Sequence, residues 1–358
     1  MNSRIDLLAG CFRGRPPPET RWQAVLAIAN RGLVTARLAL ALHDAPGVPE
    51  PVAAFLADVL RRNRQRNQAV RDQLGDAVRR LNAIGIEPVL LKGAAGLVDG
   101  APPLRDGRIL CDLDILVRPS ETDAALTTLM AAGYRLFRRR QGETPHAVAE
   151  LVRGGERATI DLHQRPPGPP GMAEIADLRE RASSAAAAGG RALVPDGASR
   201  LYLLVLHDQF HDGDYWSGRL NLRHLLDIGD LIGDEALDWA RLDGFVRTAV
   251  VRNALDTELI DAAWLTGASL PEGAGRRAWP RLQHRRRRMQ VACPGLMLPL
   301  AAATALCEAP NLAAHRREIR SGGRRLFADP APRPRLGPLA DRLVRFKDVF
   351  LTPAAGKL

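Results

Sequence analysis

The chain has 358 residues, of which 46% are hydrophobic and 25% charged, enough for two folded domains and unlike a disordered polymer. An aromatic content of 4% argues against a face of stacking rings for single-stranded nucleic acid. The net charge of +11 favours an anionic partner, but every one of the 51 basic residues except Lys92, Lys347 and Lys357 is arginine, and a GC-rich coding bias is the plainer explanation.

Cys11, Cys111, Cys293 and Cys307 are widely spaced with no CxxC pair, as expected of reduced thiols rather than a disulfide framework or a zinc site. The first residues, MNSRIDLLAGCFRGRPPP, show no secretory pattern, so a cytoplasmic location is expected.

Residues 1–85 read as a helical region. Between 20 and 83 the pattern is helical with one Pro-flanked break, and Val52, Phe55, Leu56, Val59 and Leu60 follow the i, i+3, i+4 rule, with a solvated face of arginines opposite. The texture changes at Ile86. Over 86–165, EPVLLKG, RILCDLDILV, YRLFRRR, VAELVRGG and RATIDLHQ are short strand-like runs around one helix that follows Pro119 and ends at Gly133. Ser120 and Asp123 suit its N-terminal cap.

On the strand 110–117, Asp112 and Asp114 share one face about 7 Å apart, while Cys111, Leu113, Ile115 and Val117 form an apolar face that must be buried. Paired carboxylates on a buried strand repel each other unless a cation compensates them. In 158–163, Asp161 and His163 face away from Ile160 and Leu162. If the two strands are neighbours, three carboxylates converge. That is a donor set for two magnesium (or manganese) ions, which about 4 Å apart serve an in-line displacement. Upstream, Lys92-Gly93 ends a strand. Gly93 lets a phosphate approach the backbone, a following helix would offer N–H groups, and Lys92 would add a point charge.

Beyond the linker-like PPGPPG, residues 172–358 read as mostly helical, with a loop at RSGGRRLFADPAPRPRLGP. His207 and His211 have an i, i+4 spacing that can bind zinc, with no third ligand evident, and Arg223 and Asp227 have the spacing of a helical ion pair. The uncharged run 289–307 behind Arg285–Arg288 could be read as a membrane span, but its prolines and alanines favour a buried helical segment.

LLKGAAGL, LRDGRILCDLDILVRP, GYRL and TIDLHQ together resemble a nucleotidyltransferase family of the DNA polymerase β-like superfold, and LYLLVLHDQFHD with RLNLRHLLDIGDLI is similar to the segment that follows its catalytic domain. The resemblance covers most of 20–235. It implies an α+β fold, a mixed-sheet core flanked by N-terminal and C-terminal helical regions. The function it implies is transfer of a nucleotidyl group from an NTP to an acceptor hydroxyl or phosphate. Asp112, Asp114 and Asp161 would be the metal-binding carboxylates, with Asp161 helping to deprotonate the acceptor. Lys92, Gly93 and Arg108 would bind phosphate, and His163, His207, His211 and Arg223 would line an acceptor cleft. The acceptor would be a small molecule or a peptide, RNA being a weaker choice, in the manner of accessory enzymes of peptide natural-product or polysaccharide clusters. Two departures stand out: Ala94 follows Gly93 where Gly-Ser or Gly-Gly is favoured, and Cys111 stands where serine is common. A nucleotide-sensing or partner-binding module and a phosphotransferase are the alternatives on the same fold.

Overall fold

The computed structural model describes residues 3–139, 147–169, 172–322 and 356–358. Seven strands run through them: β1 (Val89–Leu90), β2 (Asp112–Leu116), β3 (Arg135–Arg139), β4 (Ala147–Val152), β5 (Thr159–His163), β6 (Ser183–Ala187) and β7 (Gly190–Val194). They make one mixed sheet in the order β3-β4-β5-β2-β1-β7-β6. With helices on its flanks, this is the α+β arrangement expected from the sequence. β2 and β5 are parallel neighbours, with Asp114 opposite Asp161 and Asp112 opposite Thr159. β1 runs antiparallel to β2.

The helix Glu50–Ala83 is the rod on which the sheet is assembled. Val70, Leu74, Ala77, Val78 and Leu81 join Leu113, Ile115, Ile160 and Leu162 in one apolar core, so the alternation in β2 and β5 buries their hydrophobic face against this helix. Its polar residues set the ends of the strands. Asn63 and Asn67 donate to the carbonyl of Arg108 at 3.2 and 2.9 Å. Gln73 donates to the carbonyl of Ala158 at 2.8 Å and accepts from its N–H at 3.2 Å. Two arginines of the expected solvated face reach backbone carbonyls: Arg66 those of Leu110 and Arg157, and Arg79 that of Ala188. The approaches to β2 and β5 are thus both fastened to one helix.

A second apolar core joins the N-terminal helices Arg4–Phe12 and Trp22–Arg31 to the C-terminal helices Gly197–Leu206, Leu222–Ile232 and Ala249–Thr266, and takes in Val89, Leu91 and Leu116 from the sheet. The carboxylate-bearing face of β2 and β5 therefore looks toward the C-terminal helices.

Three expectations are corrected. Residues 183–194, read from sequence as helical, are the β6–β7 hairpin that extends the sheet beyond β1. The run 289–307 is not one buried helix. The helix Ala278–Ala292 stops before a 3₁₀ turn at Pro294–Leu296, and a new helix starts at Met297, leaving Leu306 77% exposed. The cap of the helix Thr122–Ala131 is not made by Ser120 and Asp123; a 3₁₀ turn leads in, and Glu121 accepts from the N–H of Arg118 at 2.8 Å. Among the described residues no helix is long and apolar enough to cross a membrane. The loop expected at 320–338 lies, from 323 onward, outside the described residues.

Candidate active site

The parallel register of β2 and β5 brings Asp114, Asp161 and His163 together, one ligand atom of each lying within 4.8 Å of the others. Asp112 is one step back along the same face of β2 and only partly buried, and its charge is felt at both Asp161 and Lys92. Asp114 is 2% exposed, and its Oδ1 takes Lys92 Nζ and His163 Nε2, each at 2.9 Å. Burial disfavours its charge, but Lys92 and His163 outweigh that and hold the carboxyl far below its ordinary range. His163, expected in an acceptor cleft, instead supports Asp114 from the adjacent strand.

Asp161 is the opposite case. Burial, then the charges of Asp114 and Asp112, push its pKa up to about 7. Its Oδ1 is buried without a hydrogen-bond partner. An orphaned carboxylate oxygen beside two further carboxylates, all hard oxygen donors, fits a magnesium-type cation. The raised pKa has a signed consequence for the chelated protein. The fold disfavours the ionised form, so the wild type loses stability as pH rises from about 4 to about 7. Asp161→Asn is expected to match the wild type at pH 4 and to exceed it at pH 8 by up to a few kcal/mol, roughly three pKa units at 1.36 each. Urea denaturation at the two pH values checks this; a variant less stable than wild type at pH 8 would show that Asp161 is comfortable when charged.

Lys92, separated from β1 by Leu91 alone, opens the helix Lys92–Asp99 with φ at 46°, a left-handed conformation that costs a non-glycine residue on the order of 1–3 kcal/mol. Glycine would adopt it without strain but would carry no ammonium. Burial opposes the charge of Lys92, yet Asp114 and Asp112 raise its pKa. Gly93 is required by packing: a Cβ there would run into Leu110 and lie 3.0 Å from Arg108 Nε. Lys92→Arg is therefore expected to be impaired although it keeps the charge, because a planar guanidinium is wider than the ammonium seated on Asp114 Oδ1. Steady-state kinetics of Lys92→Arg beside Lys92→Ala is the check. Wild-type kinetics for the arginine variant would mean that any cation serves.

Arg108 is 5% exposed and ion-paired with Asp227, on the helix Leu222–Ile232. Its Nε, next to Gly93, is buried without a hydrogen-bond partner, and so is Nε of Arg223. Burial and then the nearby charge of Arg108 lower the pKa of Arg223, while Asp112 and Asp227 oppose this. Two crowded guanidiniums with orphaned donors call for an anion. Arg223, assigned from sequence to the acceptor side, lies within the field of Arg108.

His207 and His211 lie on a π-helical turn, His207–His211, of the kind often found at functional sites, with ring centroids 5.2 Å apart. Asp212 groups with both, and Asp208 and His224 group with His207. The neighbouring aspartates in LHDQFHD were the available sequence signal, and His224 becomes adjacent only on folding. Asp212 contributes to the field at Lys92, so this group flanks the carboxylate site. Lys92 also lines a narrow cleft of about 20 Å³ with Leu91, Arg200, Leu204 and Asp227.

Residues 18–267 match the model of a family described as uncharacterised nucleotidyltransferases. The chain belongs to this family. Within these nucleotidyltransferases, the match takes in the sheet, the three carboxylates and the helix that carries Arg223 and Asp227. No curated protein matches the chain. Among solved structures it is similar to the antibiotic-resistance factor ANT(2″)-Ia, at 12% identity over 64% of this chain and 95% of that one, with a TM-score of 0.29.

Proposed function

We propose that the chain transfers a nucleotidyl group from an NTP to an acceptor hydroxyl or phosphate, with Asp112, Asp114 and Asp161 holding magnesium or manganese. The observation that carries this reading is the register of β2 against β5: it sets Asp114 beside Asp161 with Asp112 on the same face, opposite two arginines whose Nε donors lack partners. When bound, the ions would neutralise phosphate charge and favour the attacking and leaving oxygens.

The remaining work falls to the chain itself. Arg108 and Arg223 donate to the triphosphate, which also relieves their mutual repulsion. Lys92 holds Asp114 in place through its 2.9 Å contact and would offer its ammonium to phosphate. His163 keeps Asp114 oriented through its 2.9 Å contact. Asp161 would hold one ion through its open Oδ1 and help deprotonate the acceptor.

The test is incubation with each NTP, labelled at the α or the γ phosphate, with magnesium and candidate acceptors of small-molecule, peptide and RNA type. Label retained from the α position is the expected result. Label retained only from γ would make the chain a phosphotransferase, and none retained with any acceptor would favour a nucleotide-binding module.

A further inference from the structure

The residues 356–358 lie against the start of the helix Leu222–Ile232, the helix that carries Arg223 and Asp227. The N–H of Leu220 donates to the carbonyl of Leu358 at 3.1 Å, and the N–H of Leu358 donates back to the carbonyl of Leu220 at 3.0 Å. Lys357 is thereby held opposite Asn221 in an antiparallel bridge. Asn221 is the N-cap of the helix, accepting from the N–H of His224, so the bridge is made where the helix begins. Leu358 packs on the apolar core nearby.

Lys357 pins this segment. Its Nζ lies 2.7 Å from Asp212 Oδ2 and also meets Asp214, and its side chain is 7% exposed. Burial disfavours the charge of the ammonium, yet Asp214, Asp208 and Asp212 raise its pKa. Only three of the 51 basic residues are lysine, and two of these, Lys92 and Lys357, seat their ammonium groups on buried aspartates. In a chain biased toward arginine, that usage favours a compact cation at both places.

Gly356 brings the segment to Arg223. A Cβ at Gly356 would lie 3.4 Å from both Nε and Nη2 of Arg223 and 3.0 Å from Leu33 Cδ1. Its φ is 77°, so any other residue would be strained as well as crowded. Leu33 is itself left-handed, with φ at 56°, a conformation uncommon outside glycine and of the kind that collects at working sites. The backbone of Gly356 thus runs beside a guanidinium whose Nε is buried without a hydrogen-bond partner. It confines the side chain and leaves that donor for an anion.

We propose that Lys357 is a positioning residue, pinning Gly356–Leu358 as a strap that holds Arg223 in place for a triphosphate. The inference rests on the reading that Arg223 meets the triphosphate. A long arginine side chain loses rotamer freedom when it binds a ligand, and a strap that has already confined it removes part of that cost. Lys357 does not touch the reactants, since its ammonium is taken up by Asp212 and Asp214.

The experiment is calorimetric titration of the full chain with inorganic tripolyphosphate in excess magnesium, with Arg223→Ala as a second background. Lys357→Met removes the pin, and Gly356→Val disturbs the strap beside Arg223 without changing any charge. Each is expected to weaken tripolyphosphate binding by at least about tenfold, the scale of one charge-assisted hydrogen bond. In the Arg223→Ala background each is expected to change affinity by less than about twofold, because a residue that acts through Arg223 then has nothing to act on. General loss of folding would carry over into that background, and so would the through-space field of a missing ammonium. The readout is binding, so these losses support the strap even if no α-labelled product is ever found. Wild-type affinity in both variants, an equal loss with and without Arg223, or a loss confined to Lys357→Met would overturn the proposal. Tighter binding by either variant would also overturn it and mark the segment as an obstruction. A wild type that takes up no tripolyphosphate would overturn the anion site itself, and the strap with it.

Discussion

Replacing Asp112, Asp114 or Asp161 singly with alanine is expected to slow transfer by at least about 100-fold, and the double variants are expected to be little worse than the singles. The motivation is geometric: Asp114 and Asp161 are register partners on adjacent parallel strands, and Asp112 shares their face. Groups that serve one centre fail together, because losing one donor already removes the charge arrangement the others depend on. The three variants should differ in stability even where they agree in rate. Asp114→Ala leaves Lys92 and His163 without the carboxylate that holds both at 2.9 Å, whereas removing Asp161 relieves a crowded acid whose Oδ1 has no partner. Rates from initial velocities, with thermal melts of each variant, are the measurement. Near-normal turnover by Asp114→Ala would remove the carboxylate centre from the mechanism.

Much of this centre was legible because strand periodicity is strict. TIDLH alternates polar and apolar residues throughout and DLDIL as far as Ile115, so the face of every carboxylate followed once the segments were recognised as strands. The hairpin β6–β7 was not legible for the opposite reason. SSAAAAGGRALV is rich in alanine, a strong helix former, and its strands are fixed by neighbours rather than by their own preference. Ala188 and Gly189 both have positive φ, as a two-residue hairpin turn demands, so the Ala-Gly-Gly step was the signal available. Gly75 completes the explanation. A Cβ there would strike Ala188, so the long helix and the hairpin fit only with glycine at the crossing. The partner of Arg108, more than a hundred residues away on another helix, could not be read from local pattern at all.

That partner supplies the second large effect. Arg108→Ala is expected to destabilise the protein by about 3–5 kcal/mol, because it leaves the buried Asp227 without its ion-pair partner. Both side chains are under a tenth exposed, and the pair joins the segment leading into β2 to the helix that carries Arg223. Asp227→Ala should cost a similar amount for the reciprocal reason. Arg108→Met combined with Asp227→Leu is expected to restore much of the stability, since apolar replacements of a buried pair are often neutral, yet to leave transfer impaired because the Nε donor beside Gly93 is gone. Urea denaturation and initial rates on the four proteins separate the two roles. Full activity in the apolar double variant would reduce Arg108 to a structural tie.

If the strand carboxylates hold the ions that meet the NTP, manganese should be found on them. The most direct measurement is a crystal structure with manganese and an NTP whose α,β-bridging oxygen is replaced by a non-cleavable group, using anomalous scattering to locate the ions. Two manganese peaks among Asp112, Asp114 and Asp161, with the triphosphate against Arg108 and Arg223 and with Lys92 Nζ turned from Asp114 to phosphate, are the expected result. Triphosphate and manganese bound elsewhere, with Lys92 still on Asp114 and no peak at the three carboxylates, would contradict it.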